Sequence, residues 1–441
     1  MEKLHITGGR HLNGTIQISG MKNAALPILF ACALNDETCV LQNVPPVQDV
    51  KTTLDILTAM GVSVNYRTPT TLEINGAGFR PGSSPDELVR IIRASSYLMG
   101  VELARCGRTR IGQPGGCDFG GSRPLDYHTR AFEYMGAEMT TRDGFVGVAH
   151  DGLHPAKIML DGASVGATIN IMLAASLIPH AEGDPETVIV NAAREPHVVD
   201  LALFLNKCGT NIRGAGTSEI HICGTRALHG CTYTIIPDMI EAGTYMAAVA
   251  GTGGCVTLKG VISKHLDSVM LKLTEMGVSV EDDVERGTVT IRSDGVFKPV
   301  QIQADVYPGF PTDMHPQFAV LLTAAEGVSK VTEKVWPRRF AYLDELSKMG
   351  ARFVHGDLSP DVTFLGSQKL SGAAVRATDL RAGAALVIAA LMADGETDIF
   401  CPENIERGYD DLIGKLRSLG ADITRQEVFS HGTHPAAVAM W

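Results

Sequence analysis

No two cysteines in this 441-residue chain are spaced as CxxC, and its fourteen histidines keep no ligand spacing. The sequence therefore offers no metal motif, and no metal site is expected. An excess of positive charge is also missing. The net charge is −11, with 38 Lys and Arg against 49 Asp and Glu, which argues against a nucleic-acid partner. The longest apolar run, Ala382 to Ala393, is too short to cross a bilayer, and the start, Met1-Glu2-Lys3-Leu4-His5, lacks a signal-peptide plan. Nine cysteines, an odd number at irregular spacings, read as reduced thiols in a cytoplasmic protein, most of them small core residues.

What the chain does have is apolar bulk and a repeat. Hydrophobic residues make up 45% and charged residues 20%, enough for two to three domains or one large two-lobed protein. One signature recurs six times: an amphipathic helix pattern, an apolar residue, Gly, a small residue, then strand-type residues. It falls at Met60-Gly61-Val62, Met135-Gly136-Ala137, Cys208-Gly209-Thr210, Met276-Gly277-Val278, Met349-Gly350-Ala351 and Leu419-Gly420-Ala421. The glycines stand 75, 73, 68, 73 and 70 residues apart. Each suits the residue just past a helix end, with a strand following. A second set of helices, rich in Ala, Leu, Ile and Met and poor in charge, should start near Lys22, Arg93, Ser164, Asp238, Thr312 and Arg381 and be buried all round. Six α/β units of about 70 residues fit two lobes of three units. The chain would cross between lobes at Gly20 and Pro237. That gives one lobe over 22–237, a second over 1–21 plus 238–426, and an extension over 427–441.

Polar groups collect at the starts of the apolar helices. Ser164, Asp238, Thr312 and Asp379 are good N-cap types. Lys22, Arg93 and Arg381 are not explained by capping, because cations are disfavoured there. Three cations in one class of position suggest that an anionic ligand compensates them. Arg338, Arg339 and Arg407 add further positive charge, Arg338 reading as a surface residue. The run Pro114-Gly115-Gly116-Cys117-Asp118-Phe119-Gly120-Gly121-Ser122-Arg123-Pro124-Leu125-Asp126 holds four glycines. It is either a lid bringing Cys117 as acid or nucleophile and Arg123 as anion clamp, or a surface turn with an incidental cysteine.

Seven motifs in order, over roughly Leu4 to Arg425, resemble one family. They are Ser19-Gly20-Met21-Lys22-Asn23-Ala24-Ala25-Leu26-Pro27, Pro114-Gly115-Gly116-Cys117 with Arg123-Pro124, Ser164-Val165-Gly166-Ala167-Thr168, Asn191-Ala192-Ala193-Arg194-Glu195-Pro196, Pro311-Thr312-Asp313-Met314, Asp379-Leu380-Arg381-Ala382 and Arg407-Gly408-Tyr409. The family is that of the UDP-N-acetylglucosamine 1-carboxyvinyltransferases, enolpyruvyl transferases of peptidoglycan precursor synthesis. The resemblance implies an α/β (α+β) fold, a two-lobed inverse α/β barrel of six βαβαββ repeats. It implies transfer of the enolpyruvyl group of phosphoenolpyruvate to the 3-hydroxyl of UDP-N-acetylglucosamine, with phosphate released and no metal or organic cofactor. On the match, Cys117 is the proton donor and the thiol that fosfomycin alkylates in the family, and Asp313 faces the sugar hydroxyl as base. Lys22, Asn23, Arg123, Arg339, Arg381 and Arg407 meet phosphoenolpyruvate. Asn23, Arg93, Arg123, Pro124, Leu125, Asp126, Tyr127, Gly162, Ala163, Ser164, Val165, Asp313 and Val335 meet the nucleotide sugar.

Four features depart from the family pattern: an extra residue between Cys117 and Arg123, Gln48 where lysine is common, Met239 where arginine is usual, and small residues at Gly162 and Ala163. They leave a second acceptor open, another uridine nucleotide. A non-catalytic nucleotide-sugar-binding regulator is the reading from a different class.

Overall fold

The computed structural model describes residues 2–116, 125–141, 144–356 and 358–427. All six repeat glycines adopt positive φ, at 91°, 93°, 115°, 95°, 90° and 105° for Gly61, Gly136, Gly209, Gly277, Gly350 and Gly420. They end the outer helices Gln48–Ala59, Asp126–Tyr134, Pro196–Lys207, Asp267–Glu275, Tyr342–Lys348 and Leu412–Ser418. The apolar residue before each glycine is buried and pins the helix end to the core. A strand begins two residues after five of the glycines and three residues after Gly350.

The inner helices are Lys22–Ala31, Leu98–Cys106, Val165–Ala175, Met239–Thr252, His315–Ala324 and Leu380–Met392. Most are buried on every side, while Leu98–Cys106 is buried over Leu98 to Leu103 and ends at the exposed Cys106. In Met239–Thr252 every position from Met239 to Ala250 is buried. Small residues permit close approach there, with Gly243 under Met314 and Gly251 under Met392. Helix Leu380–Met392 packs on both Met239–Thr252 and His315–Ala324. Two of the expected starts differ. The second inner helix is preceded by a 3-10 turn over Arg93–Tyr97. The fifth begins at His315, after Met314, and Thr312 does not cap it. The Thr312 hydroxyl instead donates to Glu333 Oε2 at 2.7 Å, a stronger partner because it is ionised.

Six sheets surround the inner helices among the described residues. Five share one pattern, four strands with one parallel and two antiparallel pairings. The sixth has three strands, Arg108–Ile111, Phe145–Val148 and Glu138–Thr140. The first strands pair far down the chain. Glu2–Thr7 lies between Glu396–Phe400 and Asp422–Glu427, and Leu12–Gln17 runs parallel to Gly254–Lys259. Thr232–Thr234 returns to the first unit, parallel to Thr38–Gln42. Gly20 and Pro237 form an antiparallel bridge, held by Met21 N–H to Ile236 O at 2.7 Å and Asp238 N–H to Ser19 O at 2.9 Å. The last strand runs to Glu427, the residue at which the extension was expected to begin. Residues 428–441 lie outside the described residues.

A polar knot cross-links the inner layer. Asn170 donates to Ser96 O at 3.0 Å and to His128 Nδ1 at 2.7 Å, and its Oδ1 accepts from Gly100 N at 3.0 Å. Because Nδ1 of His128 accepts, the ring is neutral with its proton on Nε2. Burial, and behind it the charge of Arg93, pulls the His128 pKa from 6.5 down to about 3.

Two expectations follow. Gly277→Ala meets no atom within 4 Å, so it should cost only backbone strain, about 1–2 kcal/mol. Gly61→Ala would bring its Cβ within 2.2 Å of Gly78 O and should cost more; equal losses in urea unfolding would contradict this account. In acid, the unfolded chain protonates His128 near pH 6.5 while the folded chain holds it neutral to about 3. Stability from this residue is therefore complete above pH 6.5 and falls as pH drops through that window. His128→Gln should flatten the decline between about pH 6.5 and 4, while costing about 1–3 kcal/mol near pH 7 from lost pairing. Parallel urea midpoints against pH for the two proteins would refute it.

Candidate active site

Each inner helix, at its start or through the residues leading into it, reaches one cavity. Lys22, Arg93, Ser164, Ile240, Asp313 and Arg381 all line a space of about 640 Å³. The wall also holds Asn23, Asp126, Tyr127, Ala163, Val165, Val335, Arg339 and Arg407. Two expected positions are not part of it. The side chain of Leu125 is buried in the core, and Gly162 sits beside the Tyr127 ring. Cys117, Arg123 and Pro124 lie outside the described residues. Gly116 and Asp126, on either side of that segment, both line the cavity.

The cations are balanced by two carboxylates. Asp49 Oδ2 accepts from Lys22 Nζ at 3.0 Å, and its Oδ1 accepts from Arg407 Nε at 3.0 Å. The Asp49 N–H also donates to Arg407 O at 3.3 Å, so residues 358 positions apart meet twice. Burial opposes ionisation of Asp49, but Lys22 and Arg407 hold its pKa below the ordinary carboxylate value. Asp313 takes Arg339 Nη1 at 2.7 Å on Oδ1, and Arg381 Nε and Nη2 at 3.2 and 3.1 Å on Oδ2. Burial again works against the charge, while Arg339 and Arg381 keep this carboxyl well below the usual range. The sequence suggested that a ligand anion would offset Lys22 and Arg381. In the structure Asp49 and Asp313 occupy that role.

Side chains behind the wall fix these groups. Arg381 lies 5.2 Å above the Tyr409 ring, whose hydroxyl is bonded to Thr244 at 2.8 Å and Gln317 at 3.3 Å. The fully buried Glu333 accepts from Val335 N, Trp336 N, Thr312 Oγ1 and His315 Nδ1 at 2.7, 2.9, 2.7 and 2.6 Å. His315 Nε2 lies 3.0 Å from the Arg339 carbonyl. Glu333 thus orders the segment that carries Val335 and Arg339. Asp379 caps the helix of Arg381, accepting from Arg381 N at 2.8 Å.

Sequence reasoning missed Asp49, His128, Glu195, His197 and Glu333 as parts of the site. Asp49 reads as an ordinary acidic first-turn residue of helix Gln48–Ala59. Glu195 and His197 flank Pro196 at a helix start and line the cavity. Glu195 Oε2 and His197 Nδ1 are buried with no hydrogen-bond partner among the described residues. Burial raises the Glu195 carboxyl and lowers His197 to about 4, so it works against the charged form of each. No cavity residue belongs to a metal-ligand cluster among the described residues.

The arrangement can bind a compact polyanion by exchanging protein carboxylates for ligand oxygens, and can hold a carboxylate beside it. Comparison with known proteins agrees with that chemistry. A family model described as EPSP synthase (3-phosphoshikimate 1-carboxyvinyltransferase) matches residues 6–416. A UDP-N-acetylglucosamine 1-carboxyvinyltransferase from Clostridium botulinum is 48% identical over 428 residues, covering 96% of this chain and 100% of its own. UDP-N-acetylglucosamine 1-carboxyvinyltransferase 3 from Caldanaerobacter subterraneus is 48% identical over 427 residues, covering 96% and 99%. Among solved structures, the enolpyruvyl transferase NikO from Streptomyces tendae superposes with a TM-score of 0.85 at 26% identity, over 96% of this chain and 98% of its own. An EPSP synthase from Acinetobacter baumannii shares the fold, with a TM-score of 0.74 at 19% identity over 97% and 100%. By the extent of the model match and the identity to these relatives, the chain belongs to the enolpyruvyl (carboxyvinyl) transferase family, among the UDP-N-acetylglucosamine 1-carboxyvinyltransferases.

Proposed function

We propose that the cavity transfers the enolpyruvyl group of phosphoenolpyruvate to the 3-hydroxyl of UDP-N-acetylglucosamine and releases phosphate. The observation that carries this reading is the convergence of Lys22, Arg407, Arg339, Arg381 and Asp313 on one space whose wall also bears Asn23, Arg93 and Ser164. The curated relatives named for this activity, at 46–48% identity, support the same acceptor. On the same reading residues 22–237 form one lobe and 1–21 with 238–426 the other. The pairing of the first two strands with strands beyond residue 250 supports that division.

The reaction needs a proton at C3 of phosphoenolpyruvate as the sugar oxygen attacks C2. It then needs loss of a C3 proton and of phosphate from the tetrahedral adduct. Cys117 is the proposed acid, and its covalent neighbour Gly116 lines the cavity. Lys22, Arg123 and Arg407 take the phosphate, and Arg339 and Arg381 face the rest of the anion. Asp313 is the proposed base. Paired with two guanidiniums it is a weak one, because its pKa is held so low. Substrate oxygens that draw Arg339 and Arg381 toward themselves would raise that pKa, so the base gains strength only when the donor is bound.

Phosphate release from phosphoenolpyruvate, measured with UDP-N-acetylglucosamine and with UMP, tests the assignment. Turnover is expected with the former and little with the latter; the reverse result would reassign the acceptor to another uridine nucleotide, and no release with either would leave a binding protein. Asp313→Asn should lower kcat by about 10²–10⁴, with nucleotide-sugar binding by calorimetry largely kept. Undiminished kcat would remove Asp313 from the chemistry.

A further inference from the structure

Four cysteines far apart in sequence meet beneath the first units, and none of them lines the cavity. Cys32 opens the 3-10 turn Cys32–Leu34 that follows helix Lys22–Ala31. Cys39 is on strand Thr38–Gln42. Cys208 caps the end of helix Pro196–Lys207. Cys231 immediately precedes strand Thr232–Thr234, the parallel neighbour of Thr38–Gln42, and its carbonyl accepts from Val40 N at 2.8 Å. The sulfurs of Cys39, Cys208 and Cys231 all lie within 4.8 Å of one another. Cys208 and Cys231 are 3.5 Å apart. Cys32 is a further buried thiol, seven residues before Cys39. Cys32, Cys39 and Cys208 are buried and Cys231 is half-buried.

Tetrahedral thiolate coordination at Zn–S of about 2.3 Å sets sulfur–sulfur separations of about 3.8 Å. The observed spacing is close to that before any ion draws the thiols together. An outer contact of the kind that supports such ligands is also in place, since Asn35 Nδ2 donates to Cys39 Sγ at 3.5 Å. Soft sulfur donors select soft or borderline cations over magnesium or calcium. We propose that Cys39, Cys208 and Cys231 form a structural site for a thiophilic divalent cation of the zinc class, with three thiolate ligands. Each thiol that binds releases its proton to water. The site joins the rear end of helix Pro196–Lys207 to the strand that follows helix Lys22–Ala31, and the two helices pack on one another. Their front ends carry Lys22, Asn23, Pro196 and His197 to the cavity. The ion would hold these two helices in register without touching substrate.

The test uses the full chain, reduced and freed of metal, then titrated with Co²⁺. Expected are an intense thiolate-to-cobalt charge-transfer band saturating at one ion per chain and its loss on adding Zn²⁺. Zinc should also protect three of the nine thiols from a thiol reagent and raise the thermal midpoint. Cys208→Ser should abolish the band, and Cys255→Ser, outside the cluster, should keep it. The wild-type cobalt spectrum decides the matter even if Cys208→Ser fails to fold. No charge-transfer band in the reduced wild type overturns the site. So does a protein that takes up no metal but loses two thiols to a Cys208–Cys231 disulfide on oxidation.

Discussion

The site depends on the need to neutralise cations gathered from opposite ends of the chain. Two unit charges 4 Å apart at an effective dielectric of about 20 interact by about 4 kcal/mol. Lys22, Arg339, Arg381 and Arg407 could not share a half-buried cavity without nearby anions. Asp49 and Asp313 supply them, each bound by two cations. Asp49 also links Lys22 to Arg407 across nearly the whole sequence, so closing the fold and assembling the site are one event. The same pairing makes the cavity receptive. A polyanionic ligand does not enter a field of bare charge; it replaces carboxylates already in position, and only the difference in interaction appears as affinity.

What must not be exchangeable is held differently. Glu333 has no exposure and accepts four hydrogen bonds, so it is satisfied from within and has no lone pair to offer a ligand. Burial opposes its charge, and His315, the Trp336 N–H and Thr312 restore it. Arg381 is fixed by the Tyr409 ring and by its own capped helix. The cations are thus anchored from behind through groups a substrate cannot reach, while their exposed faces meet carboxylates that a substrate can displace. That separation is what preorganisation requires.

The repeat was legible because backbone geometry forces it. A helix that ends in a left-handed residue wants glycine, so six glycines at near-regular spacing disclosed six helix ends and the strands behind them. The inner helices showed themselves by lacking a polar face. Their starts were less exact, because Thr312 resembles a cap and instead serves Glu333, and because Arg93 opens a 3-10 turn. The cations at helix starts were visible as violations of the dipole rule. Asp49 was not, since an acid in a first turn obeys it. Glu333 was hidden for a similar reason, being one carboxylate on an alternating strand. The cysteine cluster left no local pattern, because its members come from a turn, a strand, the end of a helix and the entry to another strand.

The six helix starts also explain why the cavity prefers an anion beyond the charges of its side chains. Each helix directs about half a positive charge at its N-terminus. Three starts absorb that field with their own side chains, Ser164, Asp238 and Asp379 accepting from the first-turn amides. The residues preceding Lys22, Arg93 and His315 supply no cap of their own, although Asp238 Oδ2 accepts from Lys22 N at 3.3 Å. Two of these starts carry cations on the cavity wall, Lys22 and Arg93, so amide dipoles and side-chain charge act in the same direction there. A neutral ligand would forgo both contributions.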